Sequence, residues 1–464
     1  MTKEERRQKI LTEPILPLLI RTSVPTIIGM LVMTIYNLTD TFFIGRLGNK
    51  SMTAAIGISF SFVSMIQALG FWFGYGSGNM MSRKLGEKKD TEAEEVSSTG
   101  ICLSMIASLV VTIPLLFFTR PLAAFLGGKA SPELLDYSTR YLRVIILSVP
   151  ASLYGTTLYN QMRLCGNVKD GMKGLLCGMI LNMILDPVFI FIFKMGFIGA
   201  GWATFAGQAA GSLVLTLLAE KNGNIPARLR KAKFSGGMIY HILAGGAPNF
   251  SRQGITSVAA VLLNVVAARY GEETIAAITI ASRIAALAYM IMIGWGQGFQ
   301  PICAMNWGAK EYGRVKKALC ISAAIGTLFL IISSILIALC SRQISGLFSK
   351  NIDVRDLSSA ILRLQCISLP VMGIYALCSM FMQNIGNYFS ALLISIARQG
   401  IFYIPLLIIL PRFFSAAGWT PRTGLFFVQP LADIASFLFG LLIVVSNMKK
   451  KYHFSEKLLT DYNS

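Results

Sequence analysis

The stretch GLLCGMILNMILDPVFIFIF, residues 174–193, is apolar along almost its whole length and contains a single charged residue, Asp186. A helix of about 20 residues is roughly 30 Å long, which matches the hydrocarbon core of a bilayer. Hydrophobic residues make up 54% of the 464-residue chain and charged residues 14%, against about 25% in soluble domains. The mean hydropathy is +0.62. This composition indicates an integral membrane protein.

Similar apolar stretches recur between charged or Gly/Pro-rich breaks and predict an all-α membrane protein with twelve transmembrane helices. They lie near 15–45, 53–82, 93–119, 134–162, 167–193, 197–220, 235–269, 274–305, 314–341, 356–384, 389–413 and 420–447. The net charge is +20, but alternate loops contain roughly twice as many Lys and Arg as the others, which is the positive-inside pattern. We therefore expect a multi-pass monomer in the cell inner or plasma membrane, with both termini cytoplasmic and no nucleic-acid partner.

The sequence repeats itself at a spacing of roughly 220 residues. SVPTIIGM (23–30) matches GAPNFSRQ (246–253) at the prolines, and GYGSGNMMSRKLGEKK (74–89) matches GQGFQPICAMNWGAKE (296–311) at three glycines and a lysine. A repeat of six helices keeps both copies in the same orientation, which predicts two pseudo-symmetric six-helix bundles. We expect one lobe at 1–220, a cytoplasmic linker at 221–234 and a second lobe at 235–464. The glycines of GYGSGN lie inside an apolar helix, which favours close helix packing over phosphate binding.

Three acidic residues, Asp40, Asp186 and Asp433, lie inside apolar stretches. A carboxylate at membrane depth costs several kcal/mol unless it binds a proton or a cation, so such residues are candidates for an ion pathway. Tyr36 and Asn37 share a helix face with Asp40, and Asn182 precedes Asp186 by one turn. These neighbours offer hydrogen bonds but no compensating charge, which favours a titrating or cation-binding site. The alternative is that each acid pairs with an arginine such as Arg163 and only holds helices together.

The sequence resembles the multidrug and toxic compound extrusion (MATE) transporters over essentially its whole length. The resemblance rests on the runs TDTFFIGRLG (39–48), GYGSGNMMSRKLGEKK (74–89), LYNQMRLCGN (158–167), NMILDPVFIF (182–191) and QPLADIAS (429–436). It implies a cation site in the amino-terminal lobe, with Na⁺ or H⁺ held by Asp40, Asn182, Asp186 and Thr204. It also implies that Tyr36 helps to gate the site or hydrogen-bonds within it, and we expect gating or substrate-cavity roles for Pro25, Asn37 and Asn160 as well.

The second half departs from some branches of that family, which have acidic residues in helices 7, 8 and 10. Helix 7 here contains Asn249 and Gln253 instead, and no acid lies in the interior of any of the three helices, since Asp356 is the first residue of helix 10. These two residues, with Arg398 and Asp433, form a candidate polar site in the second lobe. For Asp433 we favour structural pairing with Arg398, which places ion coupling in the first lobe.

The sequence therefore predicts a secondary antiporter that exports organic cations or amphiphiles in exchange for H⁺ or Na⁺, with no cofactor beyond that ion. A lipid-linked precursor flippase is the main alternative, because a pyrophosphate substrate calls for cationic side chains. Four intramembrane arginines could supply them: Arg21, Arg163, Arg252 and Arg283. No nucleophile and base occur together in the sequence, which argues against an intramembrane enzyme. A bilobed repeat without a filter-like segment argues against a channel.

Overall fold

The computed structural model describes residues 2–45, 50–221, 223–226 and 228–451, and it describes only the backbone of residues 36–42, 44–45, 50 and 449–451. These residues form helices and connecting turns, with no β-strand among them. The helices are α1 (Lys3–Thr12), α2 (Ile15–Gly45), α3 (Lys50–Gly86), α4 (Asp90–Phe117), α5 (Thr119–Phe125), α6 (Pro132–Leu164), α7 (Val168–Pro187), α8 (Phe197–Ala219), α9 (Gly236–Ala267), α10 (Glu272–Gly308), α11 (Tyr312–Leu339), α12 (Ser341–Phe348), α13 (Ile352–Asn384), α14 (Tyr388–Ile396), α15 (Ile404–Ala416) and α16 (Pro421–Lys451).

Twelve candidate membrane spans are found among the described residues, which confirms the number predicted from the sequence. Two of them include a turn of π-helix: Val188–Ile192 follows α7, and Ala397–Tyr403 joins α14 to α15. In a π-turn the backbone hydrogen bonds join residues five apart instead of four, and such turns are frequent at functional sites. The first turn begins two residues after Asp186, and the second contains Arg398.

The chain divides into two compact units. Unit 1 comprises Met1–Pro14, Val24–Phe250 and Ala304–Lys310, and unit 2 comprises Ile15–Ser23, Ser251–Cys303 and Glu311–Ser464. These units follow spatial contact, so their boundaries fall inside α2, α9 and α10. The lobes at 1–220 and 235–464 follow the sequence repeat, and that division stays a prediction.

Three short helices, α1, α5 and α12, were not predicted from the sequence. For α1 a signal was available in the form of a capping box, in which the Thr2 side chain accepts from the Glu5 N–H and Glu5 accepts from the Thr2 N–H. Arg6 on this helix is buried and donates to the Gly223 carbonyl (3.4 Å) and to Asn224 Oδ1 (3.2 Å). Burial lowers the pKa of Arg6, and the negative charge of Asp170 opposes that effect. A basic residue of the amino-terminal segment therefore packs against protein.

The glycines of GYGSGN pack helices together, in agreement with the interpretation of that run. A Cβ on Gly76 would lie 1.9 Å from the Ile242 carbonyl oxygen, and a Cβ on Gly246 would lie 1.8 Å from the Trp72 carbonyl oxygen. The two glycines thus allow α3 and α9 to cross with their backbones in contact inside unit 1. At the same crossing the Trp72 indole N–H donates to the Leu243 carbonyl (2.7 Å).

Candidate functional site

The candidate cation site is centred on one face of α7, where Gly174, Gly178, Asn182 and Asp186 recur every four residues. Side chains four apart on a helix lie above one another. The two glycines leave the first half of this face without side chains, and the second half presents an amide and a carboxylate. Asn182 is 2% exposed and Asp186 is 0% exposed, so both polar groups are inside the protein.

A seam of glycines brings α8 against this face. A Cβ on Gly178 would lie 2.7 Å from the Gly207 carbonyl oxygen, a Cβ on Gly207 would lie 2.7 Å from the Gly178 carbonyl oxygen, and Gly211 approaches the Gly174 carbonyl in the same way. Such small-residue spacing lets helix backbones approach closely in membranes. The sequence does not reveal that these glycines pair, because their contact joins two different helices.

The close approach places Thr204 of α8 beside Asn182. The Asn182 amide Nδ2 donates to the Thr204 hydroxyl at 3.3 Å, and Thr204 is itself buried. Asn182 Oδ1 is buried without a hydrogen-bond partner among the described residues. Carbonyl and hydroxyl oxygens are ligands of hard cations such as Na⁺, Ca²⁺ and Mg²⁺. Asn182, Asp186 and Thr204 therefore supply three oxygen-bearing side chains of the predicted set within unit 1.

The end of α7 is weakened immediately after Asp186. Pro187 has no N–H to donate to the preceding turn, and the backbone continues as the π-turn Val188–Ile192. A proline in this position predicts a weakened helix from the sequence alone, and the π-turn is the form that the weakening takes.

The other predicted residues of the first-lobe site belong to α2 and α6. The side chains of Asp40, Tyr36 and Asn37 lie outside the residues that the structure describes, although their backbone belongs to α2. Pro25 lies in the interior of the same helix. Asn160 of α6 is buried, donates to the Thr156 carbonyl (2.8 Å) and accepts from Arg163 (3.1 Å), whose guanidinium also lies over the Tyr75 ring at 4.9 Å. The proposed roles of these residues in gating stay predictions.

Comparison with known proteins decides the family. The sequence profile of the family described as MatE matches residues 25–188 and 250–409. The chain belongs to the MatE family. This confirms the resemblance to MATE transporters, and since members of that family are transporters, it also confirms the interpretation that the protein is not an enzyme.

Two relatives with the name multidrug export protein MepA illustrate the similarity. The protein of Staphylococcus aureus strain MSSA476 is 29% identical over 445 residues, which cover 95% of this chain and 97% of the relative. The protein of Staphylococcus haemolyticus strain JCSC1435 is 30% identical over 397 residues, which cover 85% of this chain and 87% of the relative. The alignments thus extend over both halves of the MATE repeat.

Solved MATE structures share the fold. A MATE protein in complex with MaD3S has a TM-score of 0.86 at 24% identity, covering 95% of this chain and 99% of the other. A MOP superfamily transporter from Pyrococcus furiosus, described as having a binding pocket of reversed polarity, has a TM-score of 0.85 at 24% identity, covering 96% and 98%. This likeness confirms the all-helical MATE architecture.

In unit 2 of this MATE protein, Arg398 and Asp433 form a salt bridge, as the sequence analysis favoured. Arg398 Nε lies 2.8 Å from Asp433 Oδ1. Asp433 also accepts from Gln429 Nε2 (2.6 Å) and from Ser368 Oγ (3.0 Å), and the Arg398 guanidinium lies 5.2 Å from the centroid of the Tyr289 ring. Each oxygen of this carboxylate therefore has a donor, and one donor is a full positive charge.

The other two residues of the predicted second-lobe site do not join this network by any described hydrogen bond. Asn249 belongs to unit 1, where its amide Nδ2 is buried without a hydrogen-bond partner among the described residues. Gln253 is exposed, and its side chain forms no hydrogen bond with a described residue, although its backbone carbonyl accepts from the Ser257 hydroxyl (3.2 Å). Ser368 and Tyr289 were not predicted, because they lie on other helices than Asp433. Gln429 precedes Asp433 by one helical turn, and that spacing is a signal from which it could have been predicted.

We expect Arg398→Met to lower the thermal stability of the protein substantially, because it leaves the buried Asp433 carboxylate without its cation. Removing one partner of a buried ion pair costs about 3–5 kcal/mol, whereas replacing both by apolar residues of similar size is often close to neutral. The double variant Arg398→Met/Asp433→Leu should therefore melt at a higher temperature than Arg398→Met alone. The two residues would not be paired if the double variant lost as much melting temperature as Arg398→Met and Asp433→Leu lose when their separate decreases are added.

Proposed function

We propose that this protein is a secondary active antiporter that exports organic cationic or amphiphilic compounds in exchange for H⁺ or Na⁺. The observation that carries the proposal is the buried carboxylate of Asp186 beside the Asn182–Thr204 hydrogen bond, inside an apolar helix of a MATE-family chain. A fully buried acid inside a membrane span is a candidate for ion binding. The name multidrug export protein, carried by relatives that are 29% and 30% identical, supports export as the direction of transport.

The coupling ion must supply the free energy for moving a charged compound out of the cell. Moving one monovalent cation out of a cell costs about 2.3 kcal/mol per 100 mV of membrane potential. Exchange for one H⁺ is electroneutral, so it draws only on the pH gradient, about 1.4 kcal/mol per unit. Two acids in the first lobe, Asp40 and Asp186, could bind more than one proton, or hold one Na⁺, and so use the voltage as well. The stoichiometry therefore determines whether voltage alone can drive export.

The test is transport of a fluorescent lipophilic cation in proteoliposomes containing the purified protein. An H⁺ gradient, a Na⁺ gradient and a K⁺–valinomycin voltage are imposed separately. We expect one ion gradient to drive dye against its concentration gradient, and a neutral or anionic dye of similar size to move less. Translocation of undecaprenyl-linked lipid without any dye movement would instead indicate a flippase.

We further propose the orientation with both termini in the cytoplasm, on the strength of the alternating basic loops. An impermeant thiol reagent added to intact cells should label a cysteine introduced at Ser131, which precedes α6, and spare one introduced at Tyr312, which begins α11. Unsubstituted protein measures the background from the eight native cysteines. The opposite labelling pattern would reverse the topology.

A further inference from the structure

A small cavity with a volume of about 30 Å³ lies within unit 1, between α3, α6 and α8. Its apolar wall is formed by residues such as Val63 and Ile145. Its polar wall is formed by five side chains: Gln67, Ser148, Ser152, Thr204 and Gln208. Five hydrogen-bonding side chains around one cavity are unusual inside membrane spans, where each polar group needs a partner.

Two of these five side chains form hydrogen bonds with other described residues, and three do not. The Ser148 hydroxyl donates to the Ile145 carbonyl (2.7 Å), and the Thr204 hydroxyl accepts from Asn182. For Gln67, Ser152 and Gln208 no side-chain hydrogen bond to any other described residue is present, and all three are partly buried. An amide or hydroxyl without a partner in an apolar region is costly, so these groups are expected to bind water. A volume of about 30 Å³ exceeds the roughly 10–15 Å³ that one water molecule requires.

Thr204 links this cavity to the candidate cation site. Its side chain lines the cavity on one side and contacts the Asn182 amide on the other. Asn182 in turn lies one helical turn from Asp186 on α7. A water molecule in the cavity could therefore reach the Thr204 hydroxyl directly, and that hydroxyl is the first of the site's oxygen atoms that it meets.

We propose that this cavity is a hydrated antechamber of the ion site, in which the amides of Gln67 and Gln208 position the water that accompanies the coupling ion to and from Thr204. The inference rests on the proposed antiport. It assigns Gln67 and Gln208 a positioning role, since neither touches Asp186. Amide oxygens and water are suitable ligands for a partly hydrated Na⁺, and a chain of water from the amides to the hydroxyl also suits a proton. In both cases the cavity affects the ion and not the exported compound.

The test compares Gln67→Met/Gln208→Met with wild type in proteoliposomes, using whichever ion drives the wild-type protein. Met is close to Gln in size but cannot hold water in place. The ion concentration that gives half-maximal export is expected to rise about tenfold, the change that loss of one hydrogen bond to a charged ligand would cause. Binding of the dye, measured by fluorescence polarisation without an ion gradient, should be unchanged, as should the melting temperature.

Three controls make the outcome specific. Gln343→Met, at an exposed position of α12, tests the substitution itself and should behave as wild type. Gln67→Asn/Gln208→Asn retains both amides and should recover most of the ion dependence. Should the double Met variant fail to fold, Ser152→Ala removes one hydroxyl of the same cavity and is expected to shift the ion dependence in the same direction.

The possible results are distinct. A folded Met variant with wild-type ion dependence overturns the antechamber while the antiport stands, and so does a loss of dye binding equal to the loss of transport. Wild-type protein that moves dye under neither an H⁺ nor a Na⁺ gradient overturns the proposed antiport and this inference with it.

Discussion

Asp186→Asn is expected to reduce ion-driven export to the level of protein-free liposomes while dye binding and expression remain measurable. Asparagine retains the shape of the side chain and can still form hydrogen bonds, but it cannot titrate and carries no charge for a cation. Asp186 is completely buried and lies one turn from Asn182, so no solvent-exposed group can replace its charge at that point. The measurement is dye export in proteoliposomes under an imposed H⁺ or Na⁺ gradient, with dye binding followed in the same preparation.

The same substitution at other aspartates shows whether the effect is specific to the position of Asp186. Asp136→Asn removes a carboxylate from an exposed pair with Arg140 (2.9 Å) and should leave export intact. Asp40→Asn should abolish export as Asp186→Asn does. Asp433→Asn should retain much more transport per folded molecule, because Asp433 accepts hydrogen bonds within a structural network. Loss of export in Asp433→Asn, with both first-half variants active, would place ion coupling in the second half.

Gly76→Ala is the second substitution with a large expected effect, through backbone contact and not through charge. The added methyl group would lie 1.9 Å from the Ile242 carbonyl oxygen and 3.0 Å from the Gly246 nitrogen. Both are backbone atoms that no side-chain rotation can move, so α3 and α9 must shift apart. Overpacking of this kind typically costs about 1–3 kcal/mol, and the shift would also disturb the Trp72–Leu243 hydrogen bond. We expect a lower melting temperature together with a severe loss of transport.

Gly254→Ala provides the matched control. Gly254 lies in α9, the helix that Gly76 contacts, and a Cβ there would have no atom within 4 Å. Alanine favours a helix by about 1 kcal/mol relative to glycine, so this variant should be as stable as wild type or more so. Gly246→Ala should resemble Gly76→Ala, since its Cβ meets the Trp72 carbonyl at the same crossing. Equal stability and activity of Gly76→Ala and Gly254→Ala would show that the crossing tolerates separation.

The sequence by itself determined the twelve spans, and it placed the polar groups of α7. Each span must satisfy its own backbone and be apolar over about 20 residues, and both requirements are local and so legible in the sequence. The one-turn spacing of Asn182 and Asp186 follows from the helical period in the same way. For Thr204 the sequence indicated only a hydroxyl that could join the site, and its assignment to the site came from the resemblance to MATE transporters, because nothing local distinguishes this hydroxyl from others in the chain.

Only the tertiary structure decided which residues of different helices meet. Asn182 contacts Thr204 because Gly178 and Gly207 allow two backbones to approach, and Gln67 and Gln208 line one cavity although they are far apart in sequence. The side-chain network around Asp433 likewise draws on helices α13 and α16 and on the π-turn that contains Arg398. Inside a bilayer every helix surface is similarly apolar, so hydropathy does not specify partners. Complementary glycines and paired polar groups do, and their complementarity exists only once the helices are packed.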